Sequence, residues 1–334
     1  MVSAEPRAAG DRHTPVMLRR CMELLTEHLS SDDADAVLID ATLGMGGHTE
    51  ALLEAHPAAT VIGIDRDPQA HRIAGRRLAR FGDRFQPVRA VYDSLPRIAE
   101  ELSPNQQIKG ILFDLGVSSL QLDEADRGFA YSYDAPLDMR MNAAEDSEDP
   151  TAAELLAEIS EDELRRILRA YGEERFAGRI ARRIVEQRNV QGLTTTKQLA
   201  DVVDSAVPAA AKRTGGHPAK RTFQAVRIAV NQELDVLEAA LPAACDAVAL
   251  GGRVAVLSYH SLEDRLTKQA FAQRTTSSAP LGLPVELEEH KPTFRSLTRG
   301  AETPAAEETA TNPRAASAKL RAAEKIRLTA RSTA

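Results

Sequence analysis

Short apolar runs separated by helix-length segments constrain this chain more than any other feature. Val37–Thr42 (VLIDAT), Thr60–Asp65 (TVIGID), Phe85–Tyr92 and Ile108–Leu115 (IKGILFDL) read as strands. Residues 49–55 and 68–80 fit helices between them, the second ending near Gly82, and 19–29 place Cys21, Leu24, Leu25, His28 and Leu29 on one helical face. Strands alternating with helices imply a parallel, doubly wound α/β sheet. A further strand, Arg253–Ser258 (RVAVLS), returns much later, after a Gly-Gly turn. Between 151 and 241 the pattern is helical: Thr151/Glu154 and Ser160/Glu163 have capping-box spacing, and Phe176, Ile180 and Ile184 face away from Arg179, Arg182 and Arg183. Phe223, Val226, Val230, Leu234, Leu237 and Leu241 step by three or four, which predicts one amphipathic helix. The plan is an α/β domain interrupted by a helical insertion: 1–135, then an inserted helical, substrate-recognition domain over 136–216, then 217–334 with a basic tail. Residues 300–311, polar and Pro-containing, read as a mobile connection.

A length of 334 residues suggests about two domains, and 43% apolar residues suffice for a full core. No apolar run reaches the roughly 18–20 residues of a membrane span, and Met1–His13 lacks a signal-peptide core, so a cytoplasmic protein without a membrane partner is expected. Two cysteines, Cys21 and Cys245, exclude a disulfide framework; both sit in apolar helical patterns and read as core, and no metal site is expected. The net charge of -7 conceals an uneven distribution. Residues 161–227 hold 14 Lys/Arg against 8 Asp/Glu, 312–334 hold 6 against 1, and 123–150 hold 2 against 9. Lys212–Arg227, with five basic residues and no acid, is the cleanest patch. The pI describes an average over a basic insertion and tail on an acidic body, which suits local phosphate contacts.

The turn Asp40-Ala-Thr-Leu-Gly-Met-Gly-Gly-His48 sits at a strand-to-helix junction, where glycines let backbone N–H groups approach a ligand. Thr49 stands where a dinucleotide fingerprint has its last glycine, and no P-loop sequence occurs. Asp65 closes the next strand 21 positions after Gly44, where a carboxylate can accept both hydroxyls of a ribose. Asp114 closes the fourth. In a doubly wound sheet these ends converge on one crevice, which points to a nucleoside-containing cofactor.

At HTPVM (13–17), DATLGMGGHT (40–49), GIDRDPQA (63–70), DLGVSSLQLDEADRGFAYSYDAPLDMRMN (114–142), YGEERFAGRIARRI (171–184), HPAKRTFQAVRIAVNQEL (217–234), GGRVAVLSYHSLEDR (251–265) and NPRAASAKLR (312–321) the chain resembles the MraW/RsmH family, S-adenosylmethionine-dependent small-subunit rRNA (cytosine-N4) methyltransferases. The resemblance implies a Rossmann-like class I methyltransferase fold, S-adenosyl-L-methionine as cofactor, and 16S rRNA of the small ribosomal subunit as partner, with a decoding-centre cytidine as target. It implies cofactor contacts at Gly46, Gly47, His48, Asp65, Tyr92, Asp114 and Gln121. Tyr92 stands where the family carries Phe, Asn142 where it carries Asp, and Ala316 where it carries Arg, which removes one implied RNA contact.

Such a reaction needs no metal: the cytosine amine attacks a sulfonium methyl in line, and alignment supplies most of the catalysis. An acceptor beside the amine would favour its pyramidal form and take its proton. The Pro-Pro-aromatic loop of DNA amino-methyltransferases is missing after Asp114, so the acceptor is not given by that analogy. Asp114 is the first candidate and Asp138 the second, the latter alternatively a structural partner of Arg140. Phe129, Tyr131 and Tyr133 alternate in a way that serves either base stacking or core filling. Tyr259 and His260 follow the fifth strand, and His260 is equally readable as structural. Gln224, Arg227, Asn231 and Asp235 form a polar stripe, either a solvated face or an RNA contact. Candidate substrate residues are therefore Phe129, Tyr131, Arg140, Lys220, Arg221, Arg227, Asn231, Tyr259, His260 and, in the tail, Arg314; His13 reads as structural. Competing readings are a methyltransferase of another nucleic acid or a small metabolite, a nicotinamide oxidoreductase, and a non-catalytic RNA-binding assembly factor. Oligomeric state is open, with a homodimer among the alternatives.

Overall fold

A computed structural model describes residues 14–30, 36–103, 108–142, 144, 147–212, 217–280 and 286–328. His13 and Arg213 lie outside the described residues. In chain order the elements are α1 (Leu18–Thr26), β1 (Val37–Asp40), α2 (Gly47–Ala55), β2 (Thr60–Asp65), α3 (Pro68–Leu78), β3 (Phe85–Arg89), α4 (Leu95–Leu102) and β4 (Ile108–Asp114). Eight helices then follow: α5 (Ser119–Asp123), α6 (Ala152–Glu158), α7 (Glu161–Ala170), α8 (Ala177–Val190), α9 (Thr196–Ala206), α10 (Ala209–Lys212), α11 (Ala219–Asn231) and α12 (Glu233–Ala247). The chain ends with β5 (Arg253–Ser258), α13 (Ser261–Thr275), β6 (Phe294–Ser296), α14 (Ala306–Thr311) and β7 (Lys319–Lys325).

The sheet runs β3-β2-β1-β4-β5-β7-β6. Its first five strands are parallel, and β7 pairs antiparallel with both β5 and β6. This is the expected doubly wound, mostly parallel sheet, with an antiparallel end that the sequence did not announce. Central strands are apolar because helices cover both faces: every residue of β5 is buried. Pro87 sits in β3, an edge strand, where a missing ladder donor is tolerated. That strand stops at Arg89, short of the expected Tyr92, which instead opens a 3-10 turn into α4.

The chain divides into an α/β unit (1–65, 71–115 and 241–334) and a helical unit (66–70 and 116–240). The sequence pattern alone places the boundaries at 135/136 and 216/217. The helical unit has its own apolar cluster, which takes in Leu137 and Met139 ahead of α6 and continues through Phe223, Val226 and Val230 of α11. Residues burying their apolar faces in that cluster belong to it, whatever the sequence pattern of the loops.

Two expectations are corrected. The stripe over 223–241 spans two helices, broken at Gln232, whose φ of 52° is left-handed. Residues 300–311 are built into the α/β unit: Glu302 bridges Leu320, takes a bidentate pair from Arg20 (2.7 and 2.9 Å), and Glu308 accepts the Met17 N–H at 2.6 Å. The basic tail supplies β7. Among the described residues no helix is long and apolar enough to cross a membrane. Cys21 and Cys245 are both buried, as expected.

Candidate active site

In the α/β unit the C-terminal ends of β1, β2 and β4 converge through a short network. Asp40, buried at the end of β1, accepts the Thr42 N–H at 3.2 Å and the Thr49 hydroxyl at 2.8 Å. Thr42 Oγ1 in turn accepts the Asp114 N–H at 2.6 Å, which ties the first and fourth strand ends together. Asp65 Oδ2 accepts the Gly44 N–H at 2.9 Å, so the second strand end anchors the glycine turn. Gly46 holds a φ of 77°, and a Cβ there would lie 3.0 Å from Leu78 Cδ1. A Cβ on Gly47 would meet Pro15 Cγ at 2.5 Å. Glycine is required at both because the turn is packed closely from behind.

Asp114 is the electrostatic centre. Its Oδ1 accepts the Tyr259 hydroxyl at 2.7 Å, and its Oδ2 lies 3.5 Å from His48 Nδ1. Burial pushes its carboxyl up to about 7; the Tyr259 hydrogen bond pulls it down and the charge of Glu263 pushes it further up. Burial holds His48 below the ordinary imidazole range, so it stays neutral despite the pull of Asp40 and a backbone hydrogen bond to Val16. Burial, followed by the charge of Asp114, lifts the Tyr259 phenol far above its usual value. His260 caps α13: its Nδ1 accepts the Glu263 N–H at 3.4 Å, while Glu263 Oε2 accepts the N–H groups of Tyr259 (2.7 Å) and His260 (3.2 Å). His260 is thus placed as a helix cap, the structural alternative open in the sequence. Tyr92 meets Phe113 of β4 edge-on, centroids 5.6 Å apart.

The helical unit holds the remaining candidates. Gln121 is buried and its Oε1 accepts the Ser118 N–H at 3.0 Å, closing a capping box on α5. Asp138 takes a bidentate pair from Arg140 (2.9 and 2.7 Å), the structural alternative for that acid. Phe129 is only 8% exposed. Tyr131 stacks on His217 at 4.4 Å and packs edge-on to Phe223, whereas Tyr133 is 56% exposed. Arg227 forms a bidentate pair with Glu233 (2.8 and 2.9 Å), and Asn231 is buried. Lys220 and Arg221 are exposed on the first turn of α11, with Arg221 donating to the Glu173 carbonyl at 3.0 Å. In the α/β unit, Arg314 is half-buried in the 3-10 turn Pro313–Ser317. Sequence reasoning missed Thr42, Thr49 and Glu263 at the strand ends. Their presence inside the quoted segments DATLGMGGHT and SYHSLEDR was the available signal.

These residues fit a nucleoside that carries a cationic amino-acid arm. The glycine turn is closed behind, the strand ends present carboxylates, and His48 Nε2 is buried without a hydrogen-bond partner among the described residues. A Rossmann-like sheet in this order, with a glycine turn after β1 and acids closing β2 and β4, defines a class I methyltransferase that uses S-adenosyl-L-methionine.

Within that class the chain belongs to the MraW methylase family, whose sequence model matches residues 10–326. It is 56% identical over 329 residues to the ribosomal RNA small subunit methyltransferase H of Pseudarthrobacter chlorophenolicus, covering 98% of both chains. To the protein of the same name from Saccharopolyspora erythraea it is 59% identical, covering 96% of this chain and 95% of that one. A crystal structure of an rRNA methylase from Streptococcus thermophilus aligns over 93% of this chain and 94% of that one, at 12% identity and a TM-score of 0.40.

Proposed function

We propose that this protein transfers a methyl group from S-adenosyl-L-methionine to the exocyclic N4 of a cytidine in the decoding centre of 16S rRNA, acting on the small ribosomal subunit in the cytoplasm. The names of the relatives support the substrate class. The observation that carries the chemistry is Asp114: a half-buried carboxyl at the end of β4, beside the glycine turn, hydrogen-bonded to Tyr259 and with its pKa pushed up to about 7.

When bound, S-adenosyl-L-methionine supplies an electrophilic methyl on a positively charged sulfur. Gly46, Gly47 and His48 at the head of α2, with Asp65 at the end of β2, would hold it. The amine of cytosine is a poor nucleophile because its lone pair is delocalised into the ring. Asp114 would accept a hydrogen bond from that amine, favour its pyramidal form, and take its proton as the N–C bond forms and the S–C bond breaks, the S–C electron pair staying on the now neutral sulfur. A carboxylate poised near neutrality suits this better than an ordinary one, which would be too weak a base. Asp138, engaged by Arg140, keeps a structural role. The helical unit recognises the RNA, with Lys220 and Arg221 presented to phosphates.

The test is transfer of tritiated methyl groups to small-subunit particles and to naked 16S rRNA, followed by digestion to nucleosides. Label in N4-methylcytidine at one decoding-centre position is expected. Label in another nucleoside, or none despite proven binding of cofactor and RNA, overturns the proposal.

A further inference from the structure

Tyr259 was a candidate substrate contact because it follows β5. Its geometry assigns it elsewhere. The hydroxyl donates to Asp114 Oδ1 at 2.7 Å, and the ring packs on the apolar cluster that includes Cys21 of α1, Leu257 of β5 and Leu320 of β7. The backbone N–H is fixed by Glu263 Oε2 at 2.7 Å, so the cap of α13 sets where the phenol sits. We propose that Tyr259 is a positioning residue whose hydroxyl aims the Asp114 carboxylate, while Glu263, in the first turn of α13, holds Tyr259 in place. This rests on the reading of Asp114 as proton acceptor.

The groups facing Asp114 come from four elements. His48 of α2 is neutral at 3.5 Å, and Cys21 of α1 is a thiol kept protonated by burial and by the charge of Asp114. Asp40, at the end of β1, feels the same charge. Tyr259 precedes α13 and Glu263 lies in its first turn, the first stabilising the carboxylate and the second destabilising it. The two substitutions therefore have opposite signs. Tyr259→Phe removes the donor that favours the anion, so Asp114 is protonated to higher pH. Glu263→Gln removes a like charge and keeps an oxygen to receive the Tyr259 N–H, so Asp114 ionises at lower pH. A merely structural defect lowers activity without moving the titration in opposite directions.

The experiment is kcat against pH with saturating S-adenosyl-L-methionine and RNA substrate, for the wild type, Tyr259→Phe, Glu263→Gln and Asp114→Asn, with cofactor affinity measured by calorimetry. The acid limb of the wild type is expected near pH 7. For Tyr259→Phe the limb moves up, costing about tenfold in kcat near pH 6 and recovering toward pH 9, with cofactor affinity and KM for RNA unchanged. For Glu263→Gln it moves down. A Tyr259→Phe limb in the wild-type position overturns the proposal, and a Glu263→Gln limb that fails to move down overturns the opposing role. An Asp114→Asn enzyme with a wild-type plateau overturns the acceptor reading itself. An inactive Asp114→Asn beside an unmoved Tyr259→Phe limb overturns the role of Tyr259 alone.

Discussion

A carboxyl that titrates near pH 7 in the fold, instead of at 3.8, carries a cost in stability. Between those values the folded chain holds a proton that the unfolded chain has released, so stability falls as pH rises through the window and levels off above it. Asp114→Asn removes this dependence and keeps an oxygen for the Tyr259 hydroxyl. Its Tm should exceed that of the wild type by about 5 °C at pH 8 and converge on it toward pH 4, a comparison made by calorimetry. In the helical unit one buried cation plays the opposite part. The Arg127 guanidinium donates to Asp67 (2.8 Å), Gln69 (3.3 Å) and the carbonyls of Arg140 and Met141 (3.0 and 3.1 Å). Arg127→Ala takes the guanidinium from the buried Asp67, whose Oδ1 still accepts the Gln69 N–H at 2.9 Å, and should cost about 3 kcal/mol in urea unfolding. The strand-end acids were legible in the sequence because topology alone brings such ends together. The Arg127–Asp67 pair was not, since 60 residues separate partners that only tertiary packing joins.

Elements were legible where periodicity and burial agree. The strands β2 and β5 match their apolar runs residue for residue. The break between α11 and α12 was illegible because the three-and-four stepping of apolar residues continues through it. What ends α11 is tertiary: the buried Asn231 amide donates to the Met139 carbonyl at 2.8 Å and its oxygen accepts the Met141 N–H at 2.7 Å. The turn at Gln232 then lets Glu233 face back onto Arg227. The tail misled for a related reason. Lys319–Lys325 carries alternating small apolar and charged residues, which composition reads as a basic arm, yet Leu320, Ala322 and Ala323 are buried between β5 and β6. Lys325 is buried as well, and its ammonium donates to the carbonyls of Asp246 (2.9 Å) and Val248 (2.8 Å) at the end of α12. A chain truncated after Ala318 leaves the β5 ladder open along a fully buried, mostly apolar strand. It should aggregate, read in size-exclusion chromatography as loss of the peak the full chain gives.

Charge is the property that only the whole molecule decides. By sequence both 161–227 and 312–334 are basic, and both were candidates for phosphate contacts. The fold separates them. In the second segment Lys319 and Arg321 pair with Asp264 (3.4 and 2.7 Å), Lys325 is buried, and Arg327 pairs with Glu288. In the first, Arg166, Arg183 and Lys212 have acidic partners, but Arg169, Arg179 and Lys220 are exposed with no ion pair among the described residues. Each phosphate neutralised by such a cation adds about 0.7–0.9 to the slope of log affinity against log salt. Lys220→Ala and Arg179→Ala should therefore each flatten that slope for a 16S rRNA fragment by about one unit while leaving Tm unchanged. Arg321→Ala should leave the slope alone and lower Tm, because its charge is already answered by Asp264. Filter binding from about 50 to 300 mM KCl separates the two outcomes. If Arg321→Ala flattened the slope as much as Lys220→Ala, the tail would be an RNA contact after all.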